Sequence, residues 1–164
     1  MARMPLRRFV FSGLVLAVVA LGPGAALGLG KARTVQTTAS GSGIDIIPVL
    51  GGSTFIADGT ANGTIGSGTF HVQGTQTGPT SFTLTETSVF ANGTLTQSGI
   101  GTDTGANTST VILTITSGTG RFRDAVGSST VLSTTTPTAN PQVRLLTFTS
   151  TGTITLNGQL KPVP

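Results

Sequence analysis

Between Gln142 and Leu156 the chain reads QVRLLTFTSTGTITL, and the parity of its side chains constrains what it can fold into. Leu146, Phe148, Ile154 and Leu156 hold even positions, while Thr147, Thr149, Thr151, Thr153 and Thr155 hold odd ones. Side chains alternate across a strand, so this is a strand with one apolar and one hydroxyl-bearing face. The even face is the inner one, and Arg144 falls on it. The run from Ser81 to Ala91 repeats the pattern: Phe82, Leu84 and Phe90 share parity with Glu86, opposite Thr83, Thr85 and Thr87. Glu86 is therefore expected to point inward. Beyond the N-terminal segment no helical i, i+3, i+4 pattern persists for ten residues.

The punctuation between such runs is glycine, asparagine and proline. Arg33 to Ser40 reads as a short peripheral strand and Gly41 to Gly43 as a loop. Ile44 to Leu50 reads as an edge strand or irregular crossing, because Pro48 cannot donate to a ladder. Asn62-Gly63 joins the runs Thr54 to Ala61 and Thr64 to Gln73, and Asn92-Gly93 joins Ser81 to Ala91 and Thr94 to Ser98. Asn-Gly suits a type I′ hairpin turn, whose central residues need φ > 0. Gly78-Pro79 marks a turn between the hairpins, and Gly99 to Asn107 reads as a loop. Ser109 to Thr116 and Ser128 to Thr135 are further strands, with a loop at Pro137 to Pro141. Seven to nine strands at this spacing predict an antiparallel barrel or sandwich.

The first 32 residues stand apart. Arg3, Arg7 and Arg8 precede an apolar run from Phe9 to Leu21, a break at Gly22-Pro23-Gly24 and a small-residue stretch from Ala25 to Ala32. That order predicts a secretory signal peptide over 1–32, cleaved between 26 and 32, and a domain over 33–164 in a secreted or periplasmic compartment. The thirteen-residue apolar run is shorter than the roughly 20 residues a membrane-spanning helix needs. The chain has no cysteine, which excludes both a disulfide framework and a lipidated cysteine anchor. Its formal charge of +4 belongs to the leader. After Ala32 five cations (Arg33, Arg121, Arg123, Arg144, Lys161) face five anions (Asp45, Asp58, Glu86, Asp103, Asp124). A neutral domain without Trp or Tyr offers neither the basic stripe nor the stacking platform of a nucleic-acid binder. Charged residues are only 9% of the chain, but regular apolar spacing and abundant threonine point to folding rather than disorder.

One stretch is not generic. In ITSGTGRFRDAVGSS, from Ile115 to Ser129, Gly118, Gly120 and Gly127 bracket Arg121, Phe122 and Arg123, which reads as a sharp strand-to-strand passage with Phe122 plugging the interior. The arginines are expected to face solvent or the acidic Asp124 and Asp103. GTGRF followed by Ala125 and Gly127 resembles the GGTGRFxxAxG signature of the bacterial allene-oxide-cyclase-like and dirigent-like β-barrels, with Ser117 in place of the first Gly. The Gly and Thr spacing of Gly59 to Phe70 and Thr147 to Leu156 is similar too. The resemblance implies an all-β fold, a single antiparallel eight-stranded calycin-like β-barrel. It also implies self-association as a trimer or dimer, and for Gly118, Gly120, Arg121, Phe122 and Gly127 a role in barrel shape and subunit contacts rather than reaction.

The inward charges are the chemistry worth weighing. An isolated buried carboxylate costs several kcal/mol, so Glu86 should be partnered, protonated or at a wet mouth, and Arg144 is its expected partner. Together they would fix the polar end of a small, largely apolar molecule whose remainder packs against Phe82 and Phe148. The bland alternative is a structural ion pair. Asp58 is a further candidate, although beside Gly59 it equally suits a turn. His71 shares parity with Thr69 and Gln73 and should be exposed. One histidine without cysteine supports neither a zinc site nor a Ser-His-Asp triad, so no metal and no cofactor is expected. Gly118-Thr119-Gly120 lacks the Lys and helix of a phosphate loop. The sequon matches at Asn62, Asn92 and Asn107 arise readily in so threonine-rich a chain, and the Thr-X-Thr pairs show no fixed interval that would build a solenoid. Three functions stay open: a small-molecule binder, a cofactor-free cyclase, isomerase or coupling-guiding protein, and a packed, non-catalytic envelope or surface protein. The last predicts an interior filled by Phe82, Leu113, Phe148 and Ile154, with no ligand-sized cavity.

Overall fold

The computed structural model describes residues 32–157, and in it alternating side chains close a sheet on itself. Eight antiparallel strands form one barrel in sequence order: β1 (Arg33–Ile46), β2 (Thr54–Gly63), β3 (Gly66–Gln76), β4 (Ser81–Phe90), β5 (Gly93–Gly105), β6 (Thr108–Gly118), β7 (Val126–Pro137) and β8 (Val143–Leu156). A 3₁₀ turn, Gly120–Phe122, lies between β6 and β7. β1 closes the barrel on β8 along its whole length, from Arg33 opposite Leu156 to Ile46 opposite Val143. The eight-stranded barrel expected from the sequence is thus the observed fold. The expected signal segment, apart from Ala32, and the tail from Gly158 lie outside the described residues.

Inner faces follow the parity already noted. Phe82, Leu84, Glu86 and Phe90 point inward from β4, and Arg144, Leu146, Phe148 and Ile154 from β8. Phenylalanine rings fill much of the interior, with Phe55 edge-on to Phe82 at 6.0 Å and Phe70 edge-on to Phe148 at 5.5 Å. Edge-to-face pairs of this kind add to the burial of the rings themselves.

Two stretches expected to be loops are strand. Gly41 to Gly43 lies inside β1, which runs unbroken through Ile46 and is paired on both sides, so Ile44 to Ile46 is no edge. Gly99 to Gly105 belongs to β5. The cause is ring volume. A Cβ at Gly41 would stand 2.6 Å from the Phe148 ring, and one at Gly101 would stand 2.0 Å from the Phe82 ring. These glycines give the inner wall room for aromatic rings, a use of strand glycine that composition cannot separate from a turn.

The hairpin connections are also displaced from Asn-Gly. Asn62 and Gly63 remain in the β2–β3 ladder, and the connection is Thr64–Ile65, with Gly63 opposite Gly66. Ile65 is 1% exposed, so burial of its side chain at the barrel end sets the turn. Between β4 and β5 the connection is Ala91–Asn92, one residue early, with Phe90 opposite Gly93. The Gly78-Pro79 turn falls between β3 and β4 as expected.

The Gly118 to Gly127 passage links β6 to β7 and closes one end of the barrel. Gly120 at φ 57° and Asp124 at φ 58° take left-handed conformations, which bend the chain sharply enough to drive Phe122 inward. Phe122 is fully buried, 5.0 Å from Phe90 between ring centroids. Arg121 lies over the Phe122 ring at 4.6 Å and donates to the Ile65 carbonyl; burial lowers its pKa. This corrects the expectation that Arg121 faces solvent, Asp124 or Asp103. Asp103 lies at the far end of β5, where another arginine waits.

Candidate ligand site at the barrel mouth

The opposite end, where the connections 47–53, 77–80, 106–107 and 138–142 lie, carries most of the inward charge. Asp45 comes from the end of β1 and Arg144 from the start of β8. The ladder puts the two residues opposite each other, and both side chains face inward. Arg144 Nη2 stands 2.8 Å from Asp45 Oδ2, at 5% and 0% residue exposure. The contact is close but not aligned as a hydrogen bond. Burial raises the Asp45 pKa from 3.8 to about 6, against the pull of the guanidinium. Desolvation therefore outweighs the ion pair.

Asp103, near the end of β5, is the second carboxyl of this region. Burial raises its pKa to about 6 as well, again opposed by Arg144. Burial also lowers the Arg144 pKa, offset by Asp45 and then Asp103. Ser109, opposite Asp103 on β6, shares a 2.7 Å hydrogen bond with Ser133 of β7. Both Asp45 carboxylate oxygens, Arg144 Nε, Asp103 Oδ1, Asn107 Oδ1 and Thr135 Oγ1 are buried without a hydrogen-bond partner among the described residues. Thr37 Oγ1, the Gln97 amide, Ser129 Oγ and Arg121 Nε are likewise unmet toward the other end, so what marks the mouth is its group of two carboxyls around a guanidinium, which suits a site that receives hydrogen bonds from something small.

The sequence-derived candidates divide sharply. Arg144 is in the site, but its partner is Asp45, not Glu86. Glu86 sits midway along β4, fully buried, opposite Gln97 and accepting a 2.7 Å bond from the Ser88 hydroxyl. Phe82 is inward with Phe55 on the mouth side, and Phe148 packs deeper on Phe70. Asp58 is on the outer wall, where His71 Nδ1 lies 2.7 Å from its Oδ1, with both side chains about half exposed. Gln73 Nε2 meets His71 Nε2 at 3.1 Å, so the amide donates and Nδ1 carries the proton toward Asp58. The exposed His71 matches its parity; Asp58 does not line the interior.

Asp103 was missed as a site member, and Asp45, which between Ile44 and Ile46 could from sequence either face the barrel or open its edge, faces the barrel. Their signal was parity. Once Gly41 and Gly43 are read as strand, Asp45 falls in step with Thr37, Ala39 and Ile47, all buried.

Two concavities of the described residues lie on the outer wall. The larger, about 1120 Å³, runs across β2 to β6 over Thr54, Thr75, Thr83, Ile100 and Ile112. The smaller, about 310 Å³, lies beside Asp58 and His71. Among the described residues no group of three or more His, Cys, Asp or Glu side chains could hold a metal ion.

Fold and site together define an all-β protein, a closed eight-stranded antiparallel barrel with one apolar, plugged end and one charged mouth. No protein-family model matches the chain, and no curated protein does. Among solved structures it is similar to the pterocarpan synthase dirigent protein GePTS1, with a TM-score of 0.49 and 12% sequence identity over 85% of this chain and 98% of that one.

Proposed function

We propose that the barrel is an exported small-molecule binder whose mouth, formed by Asp45, Arg144 and Asp103, holds the polar end of its ligand. The carrying observation is the sealed Asp45–Arg144 pair, surrounded by buried polar atoms without partners. Keeping two ions out of water is costly, and a ligand that supplies aligned hydrogen bonds offsets that cost. The acceptors outnumber the donors, which favours a ligand bearing hydroxyl groups. Export follows from the leader-like order of residues 1–32. Native mass spectrometry of the mature protein from its own secretion host tests the binding. A discrete bound mass that is lost in Asp45→Asn supports the site; retention of that mass in Asp45→Asn and Asp103→Asn alike removes it from the mouth.

Two carboxyls titrating at about 6 also suit acid–base chemistry near neutral pH. A cofactor-free cyclase, isomerase or dirigent-type coupling guide, the alternative that the GTGRF resemblance supports, would use them to move a proton. In that case Asp45→Asn slows turnover by about 10²-fold or more while binding persists. The packed, non-catalytic reading is favoured by a different observation: Phe55, Phe82, Phe122, Leu95, Leu113 and Ile154 are all buried to within 1% exposure. An empty native species that also fails to bind hydroxylated aromatic or aliphatic compounds would establish it.

A further inference from the structure

Asp45 and Arg144 are closed off from solvent although they lie only one pair in from the end of the β1–β8 ladder. The register identifies what closes the end of the seam above them. Ile46 stands opposite Val143, and one step beyond the strands the Ile47 N–H donates to the Gln142 carbonyl at 2.9 Å. The Gln142 side chain then crosses the seam, its amide nitrogen donating to the carbonyls of Ile47 at 3.2 Å and Pro48 at 2.9 Å. Gln142 is held in turn from its own side, where its backbone N–H donates to Asn140 Oδ1 at 3.0 Å. Past this clasp the tip of the β1–β2 connection is a turn bonded within itself, the Gly52 N–H donating to the Val49 carbonyl at 2.8 Å, and the chain is held again only at Ser53, whose carbonyl accepts from the Gln76 N–H at 2.7 Å. Val49 and Leu50 are 64% and 49% exposed, Gly51 has φ 80°, and a Cβ at Gly51 would meet nothing within 4 Å. A segment clasped at its base and unpacked at its tip is built to swing.

We infer that Gln142 is the latch of a gate over the mouth. When its two side-chain bonds break, the Ile47 N–H bond to the Gln142 backbone carbonyl is left alone at the end of the seam; as that last bond parts, the 47–52 turn swings about its junction with Ser53, and the Asp45–Arg144 pair meets solvent. The hydrogen bonds of Gln142 go to Ile47, Pro48 and Asn140 rather than to the pair, so it is a positioning residue. The purpose of the gate rests on the proposed ligand site; the gate itself does not.

Chemical access to Arg144 tests it without any ligand. The mature protein is treated with phenylglyoxal at a temperature well below unfolding, and modification of each arginine is followed by peptide mass spectrometry. Exposed Arg123 serves as the internal reference. Gln142→Glu keeps the size of the side chain but removes its donors, and Gln142→Ala removes the side chain altogether. Both variants should modify Arg144 about tenfold faster than the parent relative to Arg123, since two of the three hydrogen bonds that hold the closed state, each of ordinary net strength, are lost and only the Ile47 backbone bond remains. Amide exchange at Ile47 should rise in step, while the core amides of Val111 and Val131 keep their protection. Unchanged Arg144 reactivity in both variants overturns the latch, as does a rise matched by exchange at Val111 and Val131, which would mean global unfolding. If the gate opens as stated but native mass spectrometry finds no ligand dependence on Asp45, the ligand site fails and the latch stands.

Discussion

At the end closed by the Gly118 to Gly127 passage, Phe122 is fully buried against Phe90, Arg121 lies over its ring and donates to a backbone carbonyl, and Arg123 is exposed. At the other end Asp45 and Arg144 are almost as deeply buried, but they bring opposite charges inside the wall, and both carboxylate oxygens as well as the guanidinium are left unmet there, against Arg121 Nε at the plug. The same eight strands run through both ends, so topology does not explain the difference. The side chains placed at the last inward positions do. An apolar plug contributes stability directly through burial, whereas a buried ion pair is near neutral or unfavourable unless something else uses it. The plugged end is thus the apolar half of the barrel and the mouth its charged half.

Removing the plug should cost most. Phe122→Ala deletes a ring with no exposure in a well-filled end, and large-to-small changes of this kind cost about 3–5 kcal/mol. Urea denaturation of the variant measures it. A loss under about 1 kcal/mol would mean that the end collapses around the gap, and the contrast between packed and charged ends would fail.

Breaking the mouth pair comes next, and its pattern matters more than its size. Arg144→Leu leaves Asp45 buried without its counter-charge and should cost about 3 kcal/mol, softened by protonation of the carboxyl. The double variant Asp45→Leu with Arg144→Leu should regain most of that loss, because an apolar pair removes both desolvation costs. No such recovery is available at the plugged end. A double variant no more stable than Arg144→Leu would show that the pair stabilises the fold, against the functional reading.

The pH dependence separates the ends again. The folded-state pKa of Asp45 lies at about 6, above its ordinary 3.8, so the folded protein holds the proton more tightly than the unfolded chain. Its contribution to stability is fully present below about pH 3.8 and is lost as pH rises through about 6. Roughly two pH units correspond to about 2–3 kcal/mol. Asp103 acts in the same direction, reduced by its partial exposure to solvent. Urea midpoints between pH 4 and pH 7 should therefore fall in the parent, fall less in Asp45→Asn, and fall in Phe122→Ala as in the parent. A parent whose stability rises over that window would mean that the mouth is wetter than its burial implies.

The sequence carried the wall of this barrel better than its closure. Parity in β4 and β8 placed Phe82, Glu86, Arg144 and Phe148 on the inner face because alternation is local. Glycine misled in β1 and β5, since a residue without a side chain looks the same whether it bends a chain or yields space to Phe148 or Phe82. Arg144 was found, but its partner was not. Asp45 lies 99 positions earlier, and only the β1–β8 seam, the most non-local pairing in the fold, brings the two together. Glu86 shared parity with the other inward residues, yet parity gives the face of a strand and not the height along the barrel, and height is what separates it from Arg144.

The smallest expected effect lies on the outer wall and sharpens the contrast by its smallness. Asp58 and His71 meet at 2.7 Å, as close as the mouth pair, but both side chains are about half exposed. Water already solvates both side chains there, so the contact replaces hydration with little net gain, and exposed pairs of this kind contribute about 0–1 kcal/mol. His71→Ala should lower stability by less than about 1 kcal/mol and leave the phenylglyoxal reactivity of Arg144 unchanged. A loss of several kcal/mol, or a change at Arg144, would mean that the β2–β3 wall is coupled to the mouth and that charge chemistry in this barrel is not confined to one end.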